Sequence, residues 1–166
     1  MQRLEAFPPI AAADAHTLIL GSMPGAASLA AKQYYAHPRN LFWPLIERIL
    51  GIDATASYAV RATALATRGY ALWDVLETCV RPGSLDADIE PASIEINDFA
   101  AFFAAHRTIT RVFFNGAHAA KLFRHTKNTP LPNGRAFQLH QLPSTSPANA
   151  SIPFERKLAA WRAILT

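Results

Sequence analysis

Short apolar runs of strand length alternate along this chain with segments that have helical spacing or composition. The predicted strands are residues 17–20, 70–76, 111–114 and 137–142. The predicted helices are residues 41–50, 58–67, 93–106, 116–124 and 153–165. Parallel strands need long crossover connections, which helices usually supply. We therefore expect a three-layer α/β/α fold with a central four-stranded, mainly parallel sheet.

Particular residues predict where several of these elements begin and end. Gly51 is expected to stop the first helix, and Ser93 to cap the helix through residue 106. Residues 79–91 are turn-rich and predicted to form an excursion loop, and a further turn is predicted at 132–134. The last helix is predicted to bury one apolar face, formed by Phe154, Leu158, Trp161 and Leu165.

Length and residue usage limit the classes of protein. A chain of 166 residues can bury one core, so residues 1–166 are expected to form a single domain. No apolar run approaches the roughly 18 to 20 residues of a membrane span, and no signal-peptide pattern occurs, which predicts a cytoplasmic protein. Cys79 is the only cysteine, and the histidines form no HxH or HExxH pattern. We expect no disulfide, no bound metal and no cofactor.

The two halves of the chain differ in charge. Residues 1–98 carry seven Lys/Arg and eleven Asp/Glu, whereas residues 99–166 carry nine Lys/Arg and one acid, Glu155. A segment this basic can hold a polyanion, because phosphate contacts release condensed counterions. Solvated helix faces explain the same pattern equally well.

Three segments follow predicted strand ends, where ligands of parallel sheets bind: residues 21–25, 115–116 and 143–150. Aromatic residues, Arg39 and Asn40 lie soon after the 21–25 turn and suit a pocket for a planar ring such as a flipped nucleobase. For Trp43 a place in the core is the favoured interpretation. For Asn40, a helix cap and a functional role are equally supported. The 143–150 segment offers hydroxyls for phosphates and a proline-stiffened tip, although such a segment is also an ordinary turn.

Taken together, these segments resemble the uracil-DNA glycosylase superfamily. Gly-Ser-Met-Pro-Gly at 21–25 looks like its first motif, and Leu-Pro-Ser-Thr-Ser-Pro-Ala-Asn at 142–149 looks like its second, DNA-inserting motif. Tyr-Ala-His-Pro-Arg-Asn-Leu-Phe-Trp at 35–43 is similar to the AHPxNxFW string of mismatch-specific members, which have an asparagine where this chain has Met23. The hypoxanthine-DNA branch also lacks that asparagine, and the chain resembles this branch most.

The resemblance implies a DNA glycosylase that hydrolyses the N-glycosidic bond of a flipped deaminated base, hypoxanthine or uracil, without metal or cofactor. Asn40 would be the catalytic residue and orient the attacking water, while Tyr35 would stack on the base. The implied base-binding residues are Gly21, Ser22, Met23, Pro24, Tyr35, Phe42 and Asn115. The implied DNA-binding residues are Ser144, Thr145, Ser146, Pro147 and Asn149. The partner would be damaged DNA, bound by a monomer.

Two other functions stay open. Met23 in place of the expected asparagine favours a catalytically inactive nucleic-acid-binding protein of the same fold. An unrelated α/β hydrolase or transferase is disfavoured, because no P-loop, GxGxxG or GxSxG pattern occurs. His37 and His140 are interpreted as structural residues, and Asp74 as a turn or cap residue rather than a general base.

Overall fold

The computed structural model describes residues 2–124, 131–132 and 134–166. The strands are β1 (Arg3–Glu5), β2 (Thr17–Gly21), β3 (Tyr70–Asp74), β4 (Leu76–Val80), β5 (Glu95–Ile96), β6 (Arg111–Asn115) and β7 (Gln138–Leu142). The helices are α1 (Ala26–Ala31), α2 (Phe42–Leu50), α3 (Tyr58–Thr67), α4 (Phe99–Ala105), α5 (Ala117–Arg124) and α6 (Phe154–Trp161).

Strands β3, β2, β6 and β7 form, in that order, a four-stranded sheet in which every neighbouring pair is parallel. The side chains of Leu18 and Leu20 pack on one face with residues of α4 and α5. Ile19 points to the other face and packs with residues of α2, α3 and α6. Successive residues of a strand alternate between faces, so two helical layers cover a sheet that is apolar on both sides. The predicted three-layer α/β/α architecture is confirmed.

The clearest helix signals in the sequence correspond to observed helices. Helix α2 ends where Gly51 takes a left-handed conformation (φ 70°), which glycine adopts without a steric penalty. Helix α3 has the predicted bounds and is capped by the preceding Ser57, whose side chain accepts a hydrogen bond from the Val60 N–H. Helix α5 lies within the predicted helix 116–124 and is described as far as Arg124, after which residues 125–130 lie outside the described chain. These elements are specified by local signals.

The region between β3 and α4 differs from the prediction. The predicted strand 70–76 is divided between the parallel sheet, which β3 leaves at Asp74, and a second sheet of β1, β4 and β5 with antiparallel pairing. Part of the predicted 79–91 loop is therefore strand. Ser93 caps no helix; it lies in a 3₁₀ turn, and Asp98 caps the shorter α4 by accepting a hydrogen bond from the Ala101 N–H. Long-range pairing with the N-terminal β1 decides this segment, and no local pattern shows that pairing.

The C-terminal helix also differs at its end. Helix α6 ends at Trp161 and continues as a 3₁₀ turn through Leu165. The tighter turn changes which side faces the core, so Ile164 is buried while Leu165, predicted to face inward, is exposed. Residue 133 of the predicted 132–134 turn lies outside the described residues. Within the described chain, no helix has the length and apolar character needed to cross a bilayer.

Candidate functional site

A cleft of about 1020 Å³ opens at the carboxyl ends of the parallel strands. Each of the four strands of that sheet contributes its last residue to the lining: Gly21, Asp74, Asn115 and Leu142. The 21–25 turn, part of the 81–88 loop and the 143–149 loop form the walls. This is the position at which open α/β sheets bind ligands.

Two buried polar side chains meet at Gly21 on the floor of the cleft. A Cβ atom on Gly21 would lie 2.5 Å from Asp74 Oδ1 and 3.1 Å from the Tyr35 hydroxyl oxygen. The space beside the Gly21 backbone is therefore already filled by these side chains. Among the described residues, Asp74 Oδ2 and the Tyr35 hydroxyl are buried and have no hydrogen-bond partner. Buried polar atoms are rarely left without a hydrogen-bond partner, and here they lie in a cleft that can admit a ligand or water.

The environment of Asp74 favours its protonated form. Asp74 is 3% exposed. Burial, together with the nearby Asp86 carboxylate, raises its pKa from 3.8 to about 7, against the opposing effect of the Arg81 guanidinium. Asp86 is itself held in place, since its Oδ1 accepts a hydrogen bond from the Ser22 hydroxyl at 2.7 Å. The cleft thus holds a carboxyl group that gains and loses its proton near neutral pH.

Tyr35 is positioned by an unusual backbone conformation and by its ring. Its φ of 56° is left-handed, which is uncommon for a residue other than glycine. The ring stacks on Phe42 at 4.2 Å between centroids, and burial raises the pKa of the hydroxyl. Phe42 is fully buried behind Tyr35 and does not line the cleft. The structure therefore presents the Tyr35 hydroxyl to the floor, and it gives Phe42 a supporting position rather than a base contact.

Asn40 caps a helix and also lies in the cleft. Its Oδ1 accepts a hydrogen bond from the Phe42 N–H at 2.9 Å, which satisfies a free donor at the start of α2. The side chain also lines the cleft, and its amide nitrogen has no hydrogen-bond partner among the described residues. An amide offers two N–H donors and two oxygen lone pairs, so the cap leaves most of the hydrogen-bonding groups of Asn40 available to a ligand.

Asn115 connects the floor of the cleft to the 143–149 loop. Its Nδ2 donates to the Thr145 hydroxyl at 3.0 Å, and its Oδ1 accepts from the Thr145 N–H at 2.9 Å. Thr145 is 1% exposed and its carbonyl accepts from the Leu41 N–H, so it holds loops together and cannot reach a phosphate in this conformation. Asn115 keeps one donor and one lone pair for a ligand.

The rest of the 143–149 loop is fixed internally and by α6. The hydroxyls of Ser144 and Ser146 accept hydrogen bonds from the Ser146 and Ala148 N–H groups. Helix α6 holds both ends: Trp161 Nε1 donates to the Pro143 carbonyl at 2.9 Å, and Lys157 Nζ donates to the Asn149 carbonyl at 2.8 Å. Its conformation is therefore largely set before any ligand binds.

Most of the sequence-predicted site residues lie together in the cleft. All of them except Phe42 line it, and so do Asp86, which the sequence analysis did not single out, and Asp74, which it interpreted as a turn or cap residue. The predicted strand ran through residue 76, so the place of Asp74 at the end of a parallel strand became visible only when the structure ended β3 there. His37 lines the cleft and accepts a hydrogen bond from the Arg39 N–H, whereas His140 stacks on Phe113 outside it. Trp43 is buried in the core, as predicted.

The described residues contain no cluster of three or more His, Cys, Asp or Glu side chains that could hold a metal ion. Asp74 and Asp86 are thus two carboxylates without a third ligand of these types. Metal independence remains a prediction that experiment must test.

Comparison with known proteins identifies the family. A profile described as "Uracil DNA glycosylase superfamily" matches residues 8–165. A protein named hypoxanthine DNA glycosylase from Methanosarcina barkeri is 34% identical over 158 residues, which are 95% of this chain and 94% of that protein. Its counterpart of the same name from Methanosarcina acetivorans is 31% identical over 159 residues, 95% of each chain.

A solved structure agrees with the sequence relatives. It is a solution NMR structure of a candidate uracil DNA glycosylase from Methanosarcina acetivorans. The two folds superpose with a TM-score of 0.82 at 30% identity, covering 98% of this chain and 96% of the other. With the profile covering nearly the whole chain and relatives above 30% identity, this chain belongs to the uracil DNA glycosylase superfamily.

Proposed function

We propose that this chain is a monofunctional DNA glycosylase that releases hypoxanthine from DNA. The names of the two Methanosarcina relatives support this choice of base. The observation that carries the proposal is the floor of the cleft, where the side chains of Asp74 and Tyr35 meet beside Gly21 and leave Asp74 Oδ2 and the Tyr35 hydroxyl buried without a hydrogen-bond partner among the described residues. Such a floor suits a planar polar ligand that is taken out of the base stack.

The chemistry requires one water molecule and no covalent intermediate. The N-glycosidic bond breaks toward an oxocarbenium-like sugar, and the electron pair leaves with the base. Asn40 orients a water molecule whose oxygen bonds to the sugar C1′, while the Asp74 carboxylate accepts the water proton. The released base takes up a proton, so the products are an abasic site and the free base. An ionised Asp74 also stabilises the developing positive charge.

The leaving base needs hydrogen-bond donors and a favourable field. Asn115 has one N–H left after its bonds to Thr145, and the Tyr35 hydroxyl has no acceptor among the described residues. The N-terminus of α5 borders the cleft through Ala117, and the positive end of a helix favours an anion. These groups would stabilise the negative charge that develops on hypoxanthine when the bond breaks.

We test the proposal by measuring release of hypoxanthine and of uracil from DNA oligonucleotides, without added metal and with EDTA. Wild type is compared with Asn40→Ala and Asn40→Asp, because the aspartate retains the oxygen that caps Phe42 while removing the amide donor. We expect EDTA-resistant hypoxanthine release that falls by roughly 10²-fold or more in both variants. Thermal unfolding of the two variants separates lost catalysis from a lost helix cap, which costs about 1 kcal/mol.

The result also decides between the proposed base and its alternatives. Release of uracil alone would reject hypoxanthine as the substrate, and loss of activity in EDTA would reject metal independence. Duplex binding without release of either base would favour an inactive binding protein, for which the matched relatives' names give no support. Action as a monomer is part of the proposal, and light scattering of the protein bound to duplex DNA tests it.

A further inference from the structure

One large apolar side chain is exposed at the cleft. The described residues leave four large hydrophobic side chains exposed: Val60, Leu85, Leu139 and Leu165. Of these four, Leu85 alone lines the cleft, and it is 52% exposed. Single exposed leucines are common on protein surfaces, so exposure alone carries no function. Leu85 differs from the other three because it lies at the cleft and because hydrogen bonds hold the residues on both sides of it.

The backbone on both sides of Leu85 is bound to the 21–25 turn and its continuation. The Ser84 hydroxyl accepts a hydrogen bond from the Ala26 N–H at 3.2 Å, and Asp86 accepts from the Ser22 hydroxyl at 2.7 Å. The Leu85 carbonyl accepts from the Asp88 N–H at 3.0 Å, which closes a tight turn. Leu85 is therefore held at a fixed tip rather than on a free loop.

The 143–149 loop, which also borders the cleft, lacks an equivalent side chain. The 143–149 loop is bound to Asn115 of β6, whereas the 81–88 loop is bound to the turn after β2, so the two loops border the cleft from different sides. The exposed residue at the tip of the 143–149 loop is Ala148, a single methyl group. Pro147 and Ile152, which also line the cleft, are half-buried.

We propose that Leu85 enters the DNA base stack as an apolar wedge when the damaged nucleotide leaves it. The inference rests on the proposed function and adds a DNA contact from the 81–88 loop. Proteins that distort DNA commonly insert leucine, isoleucine, phenylalanine or proline between base steps, because the apolar side chain replaces lost stacking. A side chain on a rigid tip can do this without losing the entropy of ordering a loop.

The experiment compares Leu85→Ala with Leu165→Ala, which removes the same side chain at 49% exposure in the C-terminal 3₁₀ turn. Hypoxanthine release is measured from duplex and from single-stranded oligonucleotides of the same sequence. We expect Leu85→Ala to lower kcat/KM on duplex DNA by roughly tenfold or more and on single strands by less than about twofold, because only the duplex must be unstacked. Leu165→Ala should leave both values unchanged.

A second readout does not depend on base release. A 2-aminopurine placed beside the hypoxanthine becomes brighter when the stack opens, and this increase should occur with wild type and largely disappear with Leu85→Ala. The proposed wedge is overturned if Leu85→Ala lowers kcat/KM equally on duplex and single-stranded DNA, or if it leaves kcat/KM on duplex DNA unchanged. If wild type releases no base, the proposed glycosylase activity fails; a Leu85-dependent fluorescence increase then still supports the wedge, and its absence overturns it.

Discussion

Asp74 is the residue at which the demands of folding and of the proposed chemistry oppose each other. Its pKa is raised from 3.8 to about 7 in the folded protein, chiefly by burial and then by Asp86. Between these values the folded state binds the proton more tightly than the unfolded state, so stability falls as pH rises through this window. A shift of this size corresponds to at most about 4 kcal/mol, since one pKa unit is about 1.4 kcal/mol. The ionised form that accepts the water proton is thus the less stable form.

We predict that Asp74→Asn separates the effect of the Asp74 charge on stability from its effect on catalysis. At about pH 8 the variant removes a buried negative charge and should unfold a few degrees higher than wild type, and this difference should shrink as pH falls and disappear below about pH 4, where Asp74 is protonated in both the folded and the unfolded state. The kcat/KM of wild type should rise with pH through about 7, and the variant should lose most activity together with this rise. Differential scanning calorimetry and a pH–rate profile measure the two effects.

Asp14→Asn supplies the control, because Asp14 is exposed and does not line the cleft. It should leave both the unfolding temperature and the pH–rate profile unchanged. A variant at Asp74 that unfolds at a lower temperature at about pH 8, or that keeps the rising limb of the profile, would contradict the role given to this carboxyl group.

Elements were predictable where their signals are local. Gly51, predicted to stop α2, does so in a left-handed conformation, and Ser57, which the sequence analysis did not single out, caps α3 through an equally local contact. The short β1 pairs with β4 across more than seventy residues, so neither strand's partner is visible in its own neighbourhood. The cleft was also predictable only in part. Its position at the strand ends could be predicted, but the burial of Thr145 and the contact of Asp74 with Gly21 depend on the assembled sheet.

Helix α6 positions the 143–149 loop, which forms part of the wall of the cleft. Lys157 is fully buried, and the described residues place no carboxylate within ion-pair distance of it. Burial lowers the pKa of its ammonium group, and its hydrogen bond to the Asn149 carbonyl is the interaction that offsets this cost. With Trp161 bound to the Pro143 carbonyl, the helix holds the two ends of the 143–149 loop.

We predict that Lys157→Met weakens the action on duplex DNA while the fold is kept. Methionine fills a similar volume and removes the buried charge, so the unfolding temperature should stay within a few degrees of wild type. Loss of the bond to Asn149 should raise KM for duplex DNA by roughly three- to tenfold, with a smaller change in kcat, because an unfixed loop must be ordered on binding. Steady-state kinetics on a hypoxanthine duplex measures this split.

Arg156→Met is the matched control, since it removes one positive charge from an exposed position of the same helix. If the effect of Lys157→Met came only from lost charge, the two variants would raise KM equally and high salt would remove the increase in both. A KM that is raised only for Lys157→Met, and still raised in high salt, identifies the loop contact as the cause.

At the scale of the whole molecule, the basic half of the chain is less available to DNA than its composition suggests. Arg111 lies at the opposite end of β6 from the cleft and donates to the Thr17 hydroxyl and to C-terminal carbonyls. Arg135 donates to the carbonyls of Phe103 and Ile109. Together with Lys157, three of the nine cations in residues 99–166 therefore stabilise the fold by satisfying backbone acceptors.

This distribution of charge predicts a modest salt dependence of DNA binding. The logarithm of the binding constant falls with the logarithm of salt concentration by about 0.9 for each phosphate neutralised. The other six cations of residues 99–166, together with Arg39, therefore set an upper limit of about six on the magnitude of the slope between about 50 and 300 mM salt, compared with about nine if all ten cations were available. Arg39 is exposed between the cleft residues His37 and Asn40, and Arg39→Gln should reduce the slope by about one. Arg135→Gln should instead lower the unfolding temperature and leave the slope unchanged. Fluorescence anisotropy with a labelled duplex measures each slope; a reduced slope in Arg135→Gln would mean that this side chain exchanges its carbonyl partners for phosphate when DNA binds.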